Sequence, residues 1–191
     1  MTSATQHPLP AELGVLLGRC TGSDSASDVS SLPPLRATKP FDISLRPVIL
    51  ALASTPIPVI GILHLLNDDL ESAHTLVQAD ENNDDSNLIH SILHRREADF
   101  WNSKWWLDQF HHGFLDDLYS RRSGNAGNGG RGAGRYGAKQ FVDLVERVTT
   151  KPATTACAAK KDLETAKSWQ AREHLALAQY LFQKYGLVLS T

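Results

Sequence analysis

The chain has 191 residues with 19 basic and 21 acidic side chains, for a formal net charge of -2. That length carries one domain with a real core, and the charge balance lacks the basic excess that phosphate-backbone binding demands, so nucleic acid is not an expected partner. Cys20 and Cys157 lie far apart and give neither a metal-type spacing nor a disulfide framework, which points to a reducing, cytoplasmic setting.

Residues 1–42 are rich in Ser, Pro, Thr and Asp around one small apolar patch, "LGVLLG". They lack the basic start and apolar block of a signal peptide. This composition predicts a loosely ordered or disordered tail, followed by a single helical domain over 43–187. A short element is expected over Leu45 to Ala53. From Val48 to Leu66 the chain carries no Asp, Glu, Lys or Arg, long enough in principle to span a bilayer. The run Ser54-Thr55-Pro56-Ile57-Pro58 falls in its middle, however. Proline at an early helical position is a start signal, so two helices meeting at a turn are expected and a membrane contact is not.

After Pro56 the apolar residues Ile62, Leu66, Leu70, Ala73 and Val77 recur at helical spacing, predicting one helix to Ala79. "ADENNDDSN" breaks it, and Ser86 or Asp85 is suited to cap the next helix. That helix has its apolar face at Ile89, Leu93, Phe100 and Leu107, and is expected to end near His111-His112-Gly113. "SGNAGNGGRGAGRYG", residues 123–137, reads as a flexible Gly-rich loop. Within it Gly132 to Gly137 match GxGxxG, but no apolar strand precedes them, so the dinucleotide reading lacks its context. Amphipathic segments follow at "AKQFVDLVERV" and from Lys160 to Tyr185. The fold class expected is all-α, a helical bundle of about five helices.

At 100° per residue, Asn67, Glu71, His74 and Gln78 form one polar stripe beside the apolar face of the first long helix. His90, His94, Glu97, Trp101 and Trp105 form another on the second. Folding the two as an antiparallel hairpin sets His74 level with the His90–His94 pair, and Glu71 level with His94 and Glu97. Imidazoles four apart on a helix can chelate one ion. With carboxylates and no thiolate they suit zinc, iron or manganese. His74, His90 and His94 are therefore the candidate metal ligands. Glu71, Glu97 and Asp99 are candidate catalytic carboxylates, the first two as a further ligand or a base on metal-bound water. Asn67, Gln78 and Asp99 would support the ligands or contact substrate. Trp101 and Trp105 suit a pocket wall, and Arg95 an anchor for an anionic substrate. The competing reading makes the whole stripe a hydrogen-bonded seam in a non-catalytic binding or accessory protein.

"HSILHRREADFWNSKWW", with the upstream "LNDDLESAH", resembles an uncharacterised family of small helical proteins from fungi and bacteria. Its core pattern is H-x-x-x-H-R-R-E-x-D-[YF]-x-N-[SA]-K-[YW]-W. "FHHGF", "FVDLVERV" and "SWQAREHL" are similar to later parts of it, so the resemblance spans about Leu63 to Leu181. It implies His74, His90, His94, Arg95, Arg96, Glu97, Asp99, Asn102 and Trp106 as characteristic residues, with Asn102 a substrate contact. It implies no activity. Taken together, these features lead to the expectation of a small metal-dependent enzyme acting on a small molecule, in a specialised (secondary) metabolic pathway.

Overall fold

The computed structural model describes residues 7–21, 29–119, 132–151 and 154–190. These are mostly helical: β1 His7–Leu9, a 3-10 turn Ala11–Leu13, α1 Gly14–Thr21, α2 Leu45–Leu50, α3 Ile57–Leu66, α4 Leu70–Gln78, α5 Asp84–Arg96, α6 Phe100–Gln109, α7 Gly113–Tyr119, α8 Ala133–Thr150, α9 Ala156–Lys184 and β2 Leu187–Leu189. The all-α expectation holds, but nine helices stand among the described residues where about five were expected.

Helix α3 begins after Pro56, where the Ser/Thr–Pro signal placed a start. From Pro58 to Leu66 every residue is buried. A helix apolar on all sides belongs at the centre of a core or in a membrane; here α4, α5 and α9 pack around it. No helix among the described residues is long and apolar enough to cross a membrane.

Both long helices of the sequence reading break in two. At the first break Asp68 adopts φ 58°, and at the second Ala98 adopts φ 67°. These left-handed residues follow each helix end, and the backbone closes in the same way at both. Asp68 N donates to Leu65 O (3.1 Å) and Asp69 N to His64 O (3.0 Å); Ala98 N donates to Arg95 O (3.2 Å) and Asp99 N to His94 O (2.8 Å). This is the Schellman arrangement, ordinarily built with glycine at the left-handed position. The next residue starts the following helix in both cases, Asp69 with φ -85° and ψ 70°, Asp99 with φ -91° and ψ 71°. Thus α3–α4 and α5–α6 are two copies of one helix–turn–helix unit thirty residues apart. Ile62 matches Ile92, Leu63 matches Leu93 and Val77 matches Leu107, all buried. Neither break carries a Gly or Pro, so periodicity alone reads straight through it.

The expectation of a loose tail over 1–42 fails for the residues described there. Leu9, Leu13, Leu16 and Cys20 are buried, as is Leu35. β1 pairs in parallel with β2, His7 opposite Leu187, and α1 lies on α9. Arg19 donates to Leu66 O (2.6 Å) and pairs with Asp68 (2.7 Å). The apolar patch was too short to weigh against the polar composition around it, yet its leucines at spacings of three and four join the core. The two cysteines sit in α1 and α9. Cys20 is buried, Cys157 exposed, and neither is bonded. Residues 1–6 and 22–28 lie outside the described residues.

The Gly-rich loop expected over 123–137 is also shorter than read. Residues 120–131 lie outside the described residues, but from Ala133 the chain is helical. Gly134 lies against the backbone of Leu115 and Asp116, and Gly137 against Tyr119. These glycines let α8 approach α7 closely, as does the hydrogen bond from Gly134 N to Asp116 Oδ1 (3.0 Å).

Candidate metal centre

The break after α5 positions the site. It ends the helix just beyond His94, returns the chain as α6 alongside α5, and leaves Glu97 and Asp99 at the bend. Helix α4 also packs against α5 and delivers His74. The ring centroids of His74 and His90 lie 4.7 Å apart, those of His74 and His94 4.9 Å, and those of His90 and His94 4.7 Å. One nitrogen from each ring falls within 4.8 Å of the others, close enough for the three to hold a metal ion. The hairpin register inferred from the sequence therefore brings His74 to the pair.

His74 Nε2 faces His90 Nε2 at 2.9 Å. On its other side, His74 Nδ1 meets Glu97 Oε1 at 3.0 Å. The hydrogen bond to Glu97 outweighs partial burial and raises the His74 pKa above the ordinary histidine value. His90 behaves oppositely: burial, with the neighbouring His74 and His94, pushes it down to about 3. His94 is lowered too, mainly by burial and then by His74. His90 and His94 are thus neutral with lone pairs available, the state a metal requires. His90 Nδ1 is buried without a hydrogen-bond partner.

The other expected residues divide. Glu97 belongs to the site, with its second oxygen 3.7 Å from His94 Nδ1. Asp99 does too: it caps α6 by accepting from Asn102 N (3.2 Å), and its Oδ2 lies 3.8 Å from His94 Nδ1. The Asn102 amide is 3.4 Å from the same nitrogen. Trp106, absent from the stripe but present in the resembling motif, covers His90 with ring centroids 4.2 Å apart. Trp105 stands edge-on to Trp106 at 5.2 Å. Trp105 and Trp101 are exposed, the latter by 72 %.

Four residues do not serve as expected. Glu71 is exposed and lines a separate groove of about 240 Å³ with Lys39, Arg46 and Asp69. It sits in the first turn of α4, one turn before His74, with its side chain on the exposed side of the helix. Asn67 is buried and clamps the chain at Asp42, accepting from its N (3.1 Å) and donating to its O (2.9 Å). Gln78 is exposed at the end of α4. Arg95 is no substrate anchor: it is buried, its two terminal nitrogens pair with Glu173, and Tyr119 Oη donates to the same carboxylate (2.6 Å). Arg96 is likewise buried, bonded to Asp68 (2.5 Å), Leu65 O and Pro34 O. The buried carboxylates that receive the two consecutive arginines lie 28 and 78 residues away in the chain.

No protein-family model, curated protein or solved structure matches the chain.

Proposed function

We propose that this protein is a small metal-dependent enzyme in which His74, His90 and His94 hold one divalent transition-metal ion. The convergence of three imidazoles from two packed helices carries the reading. Three protein ligands leave a coordination position for water or substrate, the arrangement of catalytic rather than structural sites. Nitrogen ligands with carboxylates nearby suit zinc, iron or manganese. Glu97 fixes the His74 ring, a recurrent support for metal-bound histidine. It stands at the partly exposed edge of the site, with its second oxygen on the Nδ1 side of His94. A small molecule enters on this edge, past Asn102 and the exposed ring of Trp105.

The 2.9 Å approach of His74 to His90 also fits a hydrogen bond between the rings, which favours a second reading, a metal-free polar seam in a binding or accessory protein. Metal analysis and titration calorimetry with zinc, manganese and anaerobic iron(II) separate the two. One equivalent bound more tightly than about 0.1 mM (near -5.5 kcal/mol) is expected, and His90→Ala should abolish it with helicity retained by circular dichroism. Absence of binding by all three ions in the wild type overturns the metal reading and leaves the seam.

A further inference from the structure

The repeated helix–turn–helix unit supplies an internal comparison for the metal centre. His64 in the first copy occupies the position of His94 in the second, five residues before an aspartate that starts the next helix. In the first copy the contact is closed: His64 Nδ1 lies 3.0 Å from Asp69 Oδ2, wholly buried. In the second the same atoms, His94 Nδ1 and Asp99 Oδ2, stand 3.8 Å apart. The backbone between them is the same in both copies, to within about 10° at the left-handed residue and at the aspartate. The difference therefore lies in the side chains, and a contact of 3.0 Å is one this backbone permits. Position 90 differs as well: it is histidine, where the first copy has the buried Ile60. Only the second copy has the histidine pair.

We infer that Asp99 is a positioning residue of the metal centre, accepting the Nδ1 proton of His94 as Asp69 accepts that of His64. The inference rests on the metal reading above. Histidines four apart on one helix reach a shared ion through Nε2, as in helical HxxxH sites. A ligand bonded through Nε2 carries its proton on Nδ1 and needs an acceptor there. Glu97 brings its second oxygen to 3.7 Å from His94 Nδ1, but that carboxylate is tied through its first oxygen to His74 at 3.0 Å, whereas Asp99 is tied to no other histidine among the described residues. The counterpart of Glu97 in the first copy, Asn67, serves Asp42 and not His64. Asp99 has one oxygen on the Asn102 N–H and the other turned to His94. Closing that gap displaces the Asn102 amide, 3.4 Å from the same nitrogen.

Asparagine caps a helix as well as aspartate does, so Asp99→Asn removes the charge while keeping the helix start. Zinc affinity, measured by competition with a chromophoric chelator, should fall about 10- to 100-fold in this variant, with the melting temperature of the metal-free protein unchanged. Asp99→Ala should lose both. Asp69→Asn, altering the first copy, should lower the melting temperature and leave zinc affinity alone. In nitrogen-15 spectra of the zinc-loaded protein, the Nδ1 proton of His94 should be protected in the wild type and exchange faster in Asp99→Asn. Wild-type zinc affinity in Asp99→Asn overturns this inference while leaving the metal reading intact, as does an equal affinity loss in Asp69→Asn. Failure of the wild type to bind zinc, manganese or iron(II) overturns both.

Discussion

Glu97 Oε1 and His74 Nδ1 meet at 3.0 Å across the seam between α4 and the end of α5. Neither residue would reach the other if α5 ran straight on. Ala98, by taking φ 67°, ends the helix and leaves Glu97 at its cap, where the side chain turns back toward α4. A carboxylate, His74 and His90 then stand in one hydrogen-bonded line, with His94 beside it. The strained turn and the site chemistry are parts of one device, since a non-glycine residue in the left-handed region is held only where surrounding contacts compel it.

This line makes a titration prediction for the metal-free protein. By proton resonances of the imidazole rings, His74 should titrate above the ordinary histidine value, and His90 and His94 below it. Glu97→Gln should return His74 toward the ordinary value, because the carboxylate is the principal cause of its rise. Equal midpoints for the three rings, or an unmoved His74 in Glu97→Gln, would contradict the arrangement. A metal must displace the proton that His74 holds, so affinity should weaken as the pH falls through the raised His74 value.

The amino-terminal segment carries a stability prediction. Leu13 and Leu16 are fully buried, and truncating a buried leucine to alanine costs about 2–5 kcal/mol. Leu13→Ala should show a loss of this size in urea unfolding. Deletion of residues 1–21 should cost more, because it also leaves Asp68 without Arg19. A truncated protein as stable as the full chain would mean that these leucines only cover the core.

How far the sequence disclosed this follows from which signals are local. Helical periodicity identified the class and placed His74 beside His90 and His94, because both stripes and the short loop between α4 and α5 are local features. The breaks at Asp68 and Ala98 were not legible, since neither residue is a usual helix stop. Repetition was the missed signal: His64 and Asp69 recur as His94 and Asp99 at the same spacing, and recognising that places both turns. The fate of Arg95 and Arg96 was out of reach, as their partners come from distant segments.

Gly134 tests the close approach of α7 and α8. A Cβ built there would fall inside the backbone of Leu115 and Asp116, which cannot give way as a side chain tip can. Gly134→Ala should therefore destabilise by about 1–3 kcal/mol or more, measured by denaturant unfolding. Gly18, inside α1, has nothing within 4 Å of such a Cβ. Gly18→Ala should stabilise by about 0.5–1 kcal/mol through helix propensity. Equal effects at the two positions would remove packing as the reason for the glycine in α8.

Asp85 governs the response to acid. It is 1 % exposed, and it accepts from His112 (2.8 Å), Lys184 (2.7 Å) and Tyr185 (2.7 Å). Burial alone would raise its pKa, but these three hydrogen bonds outweigh that and hold it down at about 2. A folded pKa below the unfolded one means that the unfolded chain takes up the proton first as pH falls. The stabilisation is complete above about pH 4, the unfolded value, and is lost as pH drops toward 2. It amounts to about 2 kcal/mol for this group. Asp85→Asn should flatten the stability profile between pH 4 and 2. It should also destabilise at neutral pH, because Lys184 and Tyr185 lose the carboxylate that ties the end of α9 to the start of α5. Chemical denaturation at several pH values reads both effects. A variant with the wild-type slope between pH 4 and 2 would show that Asp85 is not the group that titrates there.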